Sequence, residues 1–329
     1  MSYGHYIKEL GRGAEGSRDL TLEDARQLYA AMLDGGVPDL ELGAILIALR
    51  VKGEATEEML GFMQAIDAHL HRFDNPQGRA RPVILPTYNG ARKEANLTPL
   101  LALLLKRFGV PVLIHGLIEG YGRVTTAQIF RELGILPAIS PTQAQQQLRE
   151  QGLSFVPLSA IAPGLHQLLS LRARMGVRNS AHSLVKMINP FAGEAVLLAP
   201  ATHPDFIALM RELLMARDSR ALLLRGTEGE PFANPKRRPR LEYIHDGQSD
   251  VLFEGEHESL RALPALPDGL DAAATAAWTR KVLEHQMPLP KPLADQVACC
   301  LVASGYATDL TQAKALVAVE LCGGYGGGN

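Results

Sequence analysis

Leu42, Ile45, Leu46 and Leu49 recur at i, i+3, i+4 and i+7, one apolar stripe along a helix. Arg50 and Lys52 fall in its last turn and Gly53 supplies the stop signal. Upstream, Thr21 is a predicted helix cap with Glu23 and Asp24 in the first turn, and downstream Thr56 is expected to cap a further helix through Leu60, Met63 and Ile66. The first 70 residues therefore read as a small helical domain. From about residue 80 short apolar runs appear instead: Val83 to Leu85, Val112 to Ile114, Phe155-Val156, Val196 to Leu198 and Ala221 to Leu224. Runs without polar alternation, most of them spaced by helical segments, predict strands buried on both faces of a mainly parallel sheet. Residues 163–190 look helical again and are assigned to the first domain, and 264–292 holds one helix around Trp278. Asp295 to Val302 opens the last helices. The expected class is α/β: helical residues 1–70 with 163–190, an α/β domain of 71–162 with 191–322, and a flexible Gly-rich tail 323–329.

Composition adds little until it is resolved along the chain. The 329 residues are 47% hydrophobic and 21% charged with a formal charge of −2, ordinary for a folded protein. Residues 1–70 carry a balance of −6, residues 71–240 of +11 and residues 241–329 of −7. A basic block between acidic flanks suggests a surface for a polyanion. No apolar stretch approaches membrane-spanning length, and the N-terminal residues lack a secretory core, so a cytoplasmic chain without membrane contact is expected. Cys299, Cys300 and Cys322 have no metal-ligand spacing, consistent with a reduced compartment.

Parallel sheets bind ligands beyond the carboxyl ends of their strands, which directs attention to the segments after each run. After the first run, Asn89-Gly90 signals a turn, and Thr98-Pro99 marks a helix start whose free amides, with Arg92 and Lys93, predict an anion site. After the second come His115-Gly116 and Arg123. Arg172, Arg174 and Arg178, with Lys186 beyond, form a basic cluster; Arg174 and Arg178 are four apart, as on one helix face, with no neighbouring carboxylate. Arg225 follows the last run, leading into Gly226-Thr227-Glu228-Gly229-Glu230, and Lys236-Arg237-Arg238-Pro239-Arg240 is a second-rank basic segment.

The order of these motifs resembles the anthranilate phosphoribosyltransferase fold, shared by pyrimidine nucleoside phosphorylases. Ile45 to Glu58 (ILIALRVKGEATEE) follows that family's helical signature; Asn96-Leu97-Thr98 stands for its Asn-x-Ser-Thr, His115-Gly116 for its Lys-His-Gly-Asn, and Gly176 to Asn179 for its Gly-Ile-Arg-Thr. Three departures matter. The glycine-rich diphosphate loop reads Pro86-Thr87-Tyr88-Asn89-Gly90, Ile114 replaces the lysine before His115, and the Asp-Glu pair that holds magnesium aligns with Pro231-Phe232. Proline and phenylalanine offer no hard oxygen ligand, and a departing diphosphate without metal loses its main charge stabilisation. The wording NGARKEANLTP together with RMGVRNSAHSL resembles the YbiB-type branch. That resemblance implies a nucleic-acid-binding relative of the transferases, taking DNA and RNA with little sequence preference as a homodimer joined through its helical domain.

The sequence thus predicts a binding protein rather than an enzyme, with no catalytic residue, no metal and no cofactor. Arg92, Lys93, Arg123, Arg172, Arg174, Arg178, Lys186 and Arg225 are the expected phosphate contacts, lining a groove. Asn89, Gly90, Asn96, Thr98, His115 and Gly116 are the expected anion pocket. With 5% aromatic residues, base stacking is a minor contribution, with Tyr88 and Tyr121 the available rings. The competing readings are a magnesium-dependent phosphoribosyltransferase using phosphoribosyl diphosphate, with Glu228 and Glu230 replacing the lost metal ligands, and a sensor of a small anionic metabolite.

Overall fold

A computed structural model of the chain describes residues 3–13, 15–78, 80–259 and 264–322. The tail assigned to 323–329 lies outside the described residues. Helices α1 (Gly4–Leu10), α2 (Leu22–Leu33), α3 (Asp39–Lys52) and α4 (Thr56–His69) come first, followed by strand β1 (Val83–Thr87), helix α5 (Thr98–Arg107) and strand β2 (Val112–Gly116). Helices α6 (Thr126–Glu132) and α7 (Pro141–Gln151) lead to β3 (Leu153–Pro157). Four short helices follow: α8 (Leu158–Ile161), α9 (Pro163–Ser170), α10 (Arg172–Met175) and α11 (Ala181–Leu184). The remainder is β4 (Val196–Ala201), α12 (Pro204–Ala216), β5 (Ala221–Arg225), β6 (Leu241–His245), β7 (Gln248–Phe253), α13 (Ala272–Leu283), α14 (Lys291–Ala303) and α15 (Leu310–Cys322). The chain divides into two compact units, residues 1–72 with 158–190 and residues 73–157 with 191–329.

The helical unit is built on α2 against α4, where the Tyr29 ring stacks on Phe62 at 4.6 Å between centroids. Thr21 caps α2 by accepting the Asp24 N–H at 3.1 Å. The Thr56 cap is corrected. Ala55 occupies the cap position and Thr56 is the first helical residue. Glu58 supplies the missing acceptor: its fully buried carboxylate takes the Ala55 N–H at 2.8 Å and the Leu20 N–H at 2.9 Å, and Lys52 pairs with it at 2.8 Å. A side chain three residues into a helix can serve the open end where an alanine cannot. Ile45, Leu46 and Leu49 are buried on α3 as their spacing requires.

In the α/β unit one seven-stranded sheet has the order β3-β2-β1-β4-β5-β6-β7. Strands β1 to β5 are parallel, as their unbroken apolar runs predict, and β6 and β7 are antiparallel. The β6–β7 hairpin turns at Asp246-Gly247, with no counterpart in the sequence reading. α5 lies on β1 to β3 and α14 on β5 and β6, while α12 covers β4 to β6. Successive strands run outward in one direction from β1 and in the other from β4. This makes the β1/β4 boundary the topological switch point, where loops leaving the strand ends open a crevice.

Candidate functional site

The loop after β1 turns at Gly90, whose φ of +63° and close neighbours (Val124 O would lie 2.9 Å from an added Cβ) exclude other residues without strain. This brings Ala91 against Val124 in an antiparallel bridge and turns the amides of 89, 90 and 92–94 toward the loop after β5. What they meet there is carboxylate. The Glu230 side chain, fully buried, accepts the Asn89 N–H at 2.8 Å and the Gly90 N–H at 3.0 Å through Oε1. Its Oε2 accepts the Thr87 hydroxyl and the Thr98 hydroxyl, the latter at 3.5 Å. Glu228 fills a second cradle two residues earlier. Its Oε1 accepts the Arg92, Lys93 and Glu94 N–H groups at 3.1, 2.8 and 3.1 Å, and Arg123 Nη1 donates to Oε2 at 3.1 Å. Burial pushes the Glu228 carboxyl up, but the three amides and the Arg123 guanidinium outweigh it and hold the group below the usual carboxylate range.

Most donors of the expected anion pocket are bonded within the chain, and of its side chains His115 keeps a buried Nε2 without a hydrogen-bond partner. Asn96 is buried, donating to Thr126 Oγ1 at 3.3 Å and accepting the Thr98 N–H at 3.2 Å. Thr126 in turn pairs with Thr87 at 2.8 Å, closing one polar network under the loop. The helix begins one residue earlier than expected, with Leu97 as its cap and Thr98 as its first residue. His115 and Gly116 do not follow the second strand but are its last two residues, and they are buried. His115 Nδ1 pairs with the Tyr88 hydroxyl. Burial pushes the imidazole down to about 3 and, with the Glu230 charge beside it, pushes the Tyr88 phenol well up, so the pair is uncharged at neutral pH. A neutral buried histidine does not serve as a cationic phosphate ligand.

The basic residues divide between the two units. In the α/β unit, Arg92 and Lys93 have exposed side chains, while Arg123 is spent on Glu228. Arg225 is exposed at the end of β5 and lines a cleft of about 260 Å³ with Arg211, Arg240 and Glu242. Most of the second-rank segment is neutralised locally: Lys236 pairs with Glu94, Arg238 with Asp295 and Arg240 with Glu242, leaving Arg237 exposed. In the helical unit the shared face of Arg174 and Arg178 is corrected, because α10 ends at Met175 with Gly176 in the left-handed region and Arg178 lies beyond it. The absence of a neighbouring carboxylate is also corrected, since Arg174 pairs with Asp39 at 2.9 Å. Arg178, Arg172 and Lys186 nevertheless share a neighbourhood. After burial, their charges are what push His182 down to about 4. Lys186 is itself buried, so the phosphate contact expected of it is corrected as well.

The metal reading does not fit these residues. Pro231 and Phe232 are buried without a carboxylate between them, and among the described residues Glu228 and Glu230 face N–H, O–H and guanidinium donors. A cation placed among donors of that kind is repelled. Glu228 and Glu230 are the residues whose role the sequence reading missed. The available signal was two carboxylates flanking a glycine at a strand end inside the basic block.

The YbiB protein of Escherichia coli strain K12 is 46% identical over 318 residues, covering 96% of this chain and 99% of that protein. This chain belongs to the YbiB family. Residues 4–70 match the helical bundle domain of the glycosyl transferase family. The anthranilate phosphoribosyltransferase of Methylocella silvestris is 26% identical over 316 residues, 95% of this chain and 89% of that enzyme. Among solved structures, anthranilate phosphoribosyltransferase from Thermus thermophilus superimposes with a TM-score of 0.77 at 24% identity, covering 96% of this chain and 94% of that one. The Saccharomyces cerevisiae enzyme in complex with PRPP and Mg gives 0.72 at 14% identity, covering 98% and 94%. This YbiB-family member thus has an anthranilate phosphoribosyltransferase-like scaffold, and no helix among its described residues is long and apolar enough to cross a membrane.

Proposed function

We propose that this protein is a non-catalytic nucleic-acid-binding protein that holds DNA and RNA by their phosphates with little sequence preference. The observation that carries this reading is the filling of both cradles at the switch point by Glu228 and Glu230. With those amides bonded and no acidic pair for magnesium, the scaffold has lost the means to hold a diphosphate leaving group. Cations that reach solvent are Arg92 and Lys93 on the same loop, Arg225 and Arg237 in the α/β unit, and, in the helical unit, Arg178 with the half-buried Arg172 near His182. Arg123 and Arg174, each paired with a carboxylate, make smaller contributions. Contacts of this kind carry affinity and little sequence information.

The protein acts as a homodimer joined through its helical unit. In support, α3 exposes Leu40 (83%), Ile47 and Val51 (79%), seven and four residues apart and so on one helix face.

The reading is tested by fluorescence anisotropy with random-sequence DNA and RNA over a range of salt. The logarithm of affinity falls linearly with the logarithm of salt concentration, and each phosphate-contacting cation changed to alanine lowers the slope by roughly 0.7–0.9. A shallow slope, or unchanged affinity in an Arg92→Ala/Lys93→Ala/Arg178→Ala variant, refutes it.

A further inference from the structure

Glu228 occupies a backbone conformation that a residue with a side chain rarely adopts, with φ at +54°. The left-handed region strains a residue with a side chain, and here it aims a carboxylate at three successive amides. Three consecutive N–H groups converging on one oxygen form an anion nest, and the nest of Arg92, Lys93 and Glu94 already holds an oxyanion with Arg123 completing it. The two carboxylates differ in kind. Glu230 is sealed under the loop, whereas the Glu228 side chain is 14% exposed and the Arg92 and Lys93 side chains reach solvent beside it.

We propose that the 92–94 nest is a phosphate site gated by Glu228. A backbone phosphate of the nucleic acid displaces the carboxylate, accepts the three amides and Arg123, and gains the flanking charges of Arg92 and Lys93. A phosphodiester carries one negative charge, as the carboxylate does, so the nest stays electrically balanced through the exchange. Only the Glu228 side chain has to turn outward. The loop behind it is fixed by the Thr227–Glu230 bridge, by the Thr227 hydroxyl on Phe232 O at 3.0 Å, and by Glu230 itself. The inference rests on the nucleic-acid reading above and names the site at which it operates.

The test is Glu228→Gly, which removes the gate and suits the left-handed backbone, with Glu228→Gln as a second variant that keeps the shape and removes the charge. The full-length proteins are titrated with inorganic phosphate by calorimetry and with random-sequence DNA by anisotropy. The expected result is a phosphate isotherm in Glu228→Gly that wild type lacks, and tighter DNA binding at an unchanged salt slope, because the same phosphate contact is made without displacing a carboxylate. Glu228→Gln falls between the two. A folded Glu228→Gly protein that binds no phosphate, and binds DNA as wild type does or more weakly, overturns the gated site while leaving the general reading intact. Phosphate binding by the variant, with no DNA binding by either protein, supports the nest and removes the nucleic-acid reading instead.

Discussion

Glu230 stands at the junction of stability and function. Removing its carboxylate leaves the Asn89 and Gly90 amides and the Thr98 hydroxyl without their acceptor, while the Thr87 hydroxyl keeps Thr126. Buried donors left in that state cost about 1–3 kcal/mol each. Glu230→Ala is therefore expected to lower stability by about 3 kcal/mol or more in urea unfolding, and a loss under about 1 kcal/mol would show that the network is not holding the loop. Glu228 acts through charge: with its carboxyl held below the ordinary 4.5, its contribution is present above that pH and is lost as pH falls through the lowered native value. His182 gives an independent reading of the helical cluster. Arg178→Ala removes one of the charges that depress it, so its NMR titration moves above about 4; an unmoved titration would place Arg178 away from it. None of these roles was legible in residue order alone. Glu228 stands 136 positions from the Arg92 amide it fills and Glu230 stands 141 from that of Asn89, and only folding decides whether such a carboxylate meets a cation, a metal or an amide.

Element by element, legibility followed burial. The five parallel strands announced themselves because both faces are apolar, and α3 because its stripe keeps helical period. The β6–β7 hairpin is different: β7 is half exposed and β6 follows directly on a run of cations, so charge masked the strand signal, although Asp246-Gly247 is a strong hairpin turn. The 172–178 segment failed for the opposite reason. Its cations have helical spacing, yet Gly176 ends α10 after one turn. At Gly90 the turn residue was legible but its purpose was not. Gly90→Ala is expected to cost about 1 kcal/mol or more from its positive φ alone, with further loss where the added methyl meets Val124. Wild-type thermal stability in that variant would show the loop to be less constrained.

At the scale of the whole molecule, the chain keeps an enzyme's architecture while the loops at its switch point are satisfied from within. The uneven charge along the sequence overstated the cations open to a partner, because Arg123, Arg174, Lys236, Arg238 and Arg240 each meet a carboxylate. Assembly is tested through α3. A protein of 35.6 kDa per chain is expected to run at twice that mass in light scattering, and Leu40→Glu/Val51→Glu to run as the monomer; an unchanged mass would remove α3 from the interface. The most direct test of the account is calorimetric titration of the wild-type protein with phosphoribosyl diphosphate in the presence and absence of magnesium. With Glu228 and Glu230 in the cradles, no magnesium-dependent heat is expected; a saturable, magnesium-dependent isotherm would contradict the account.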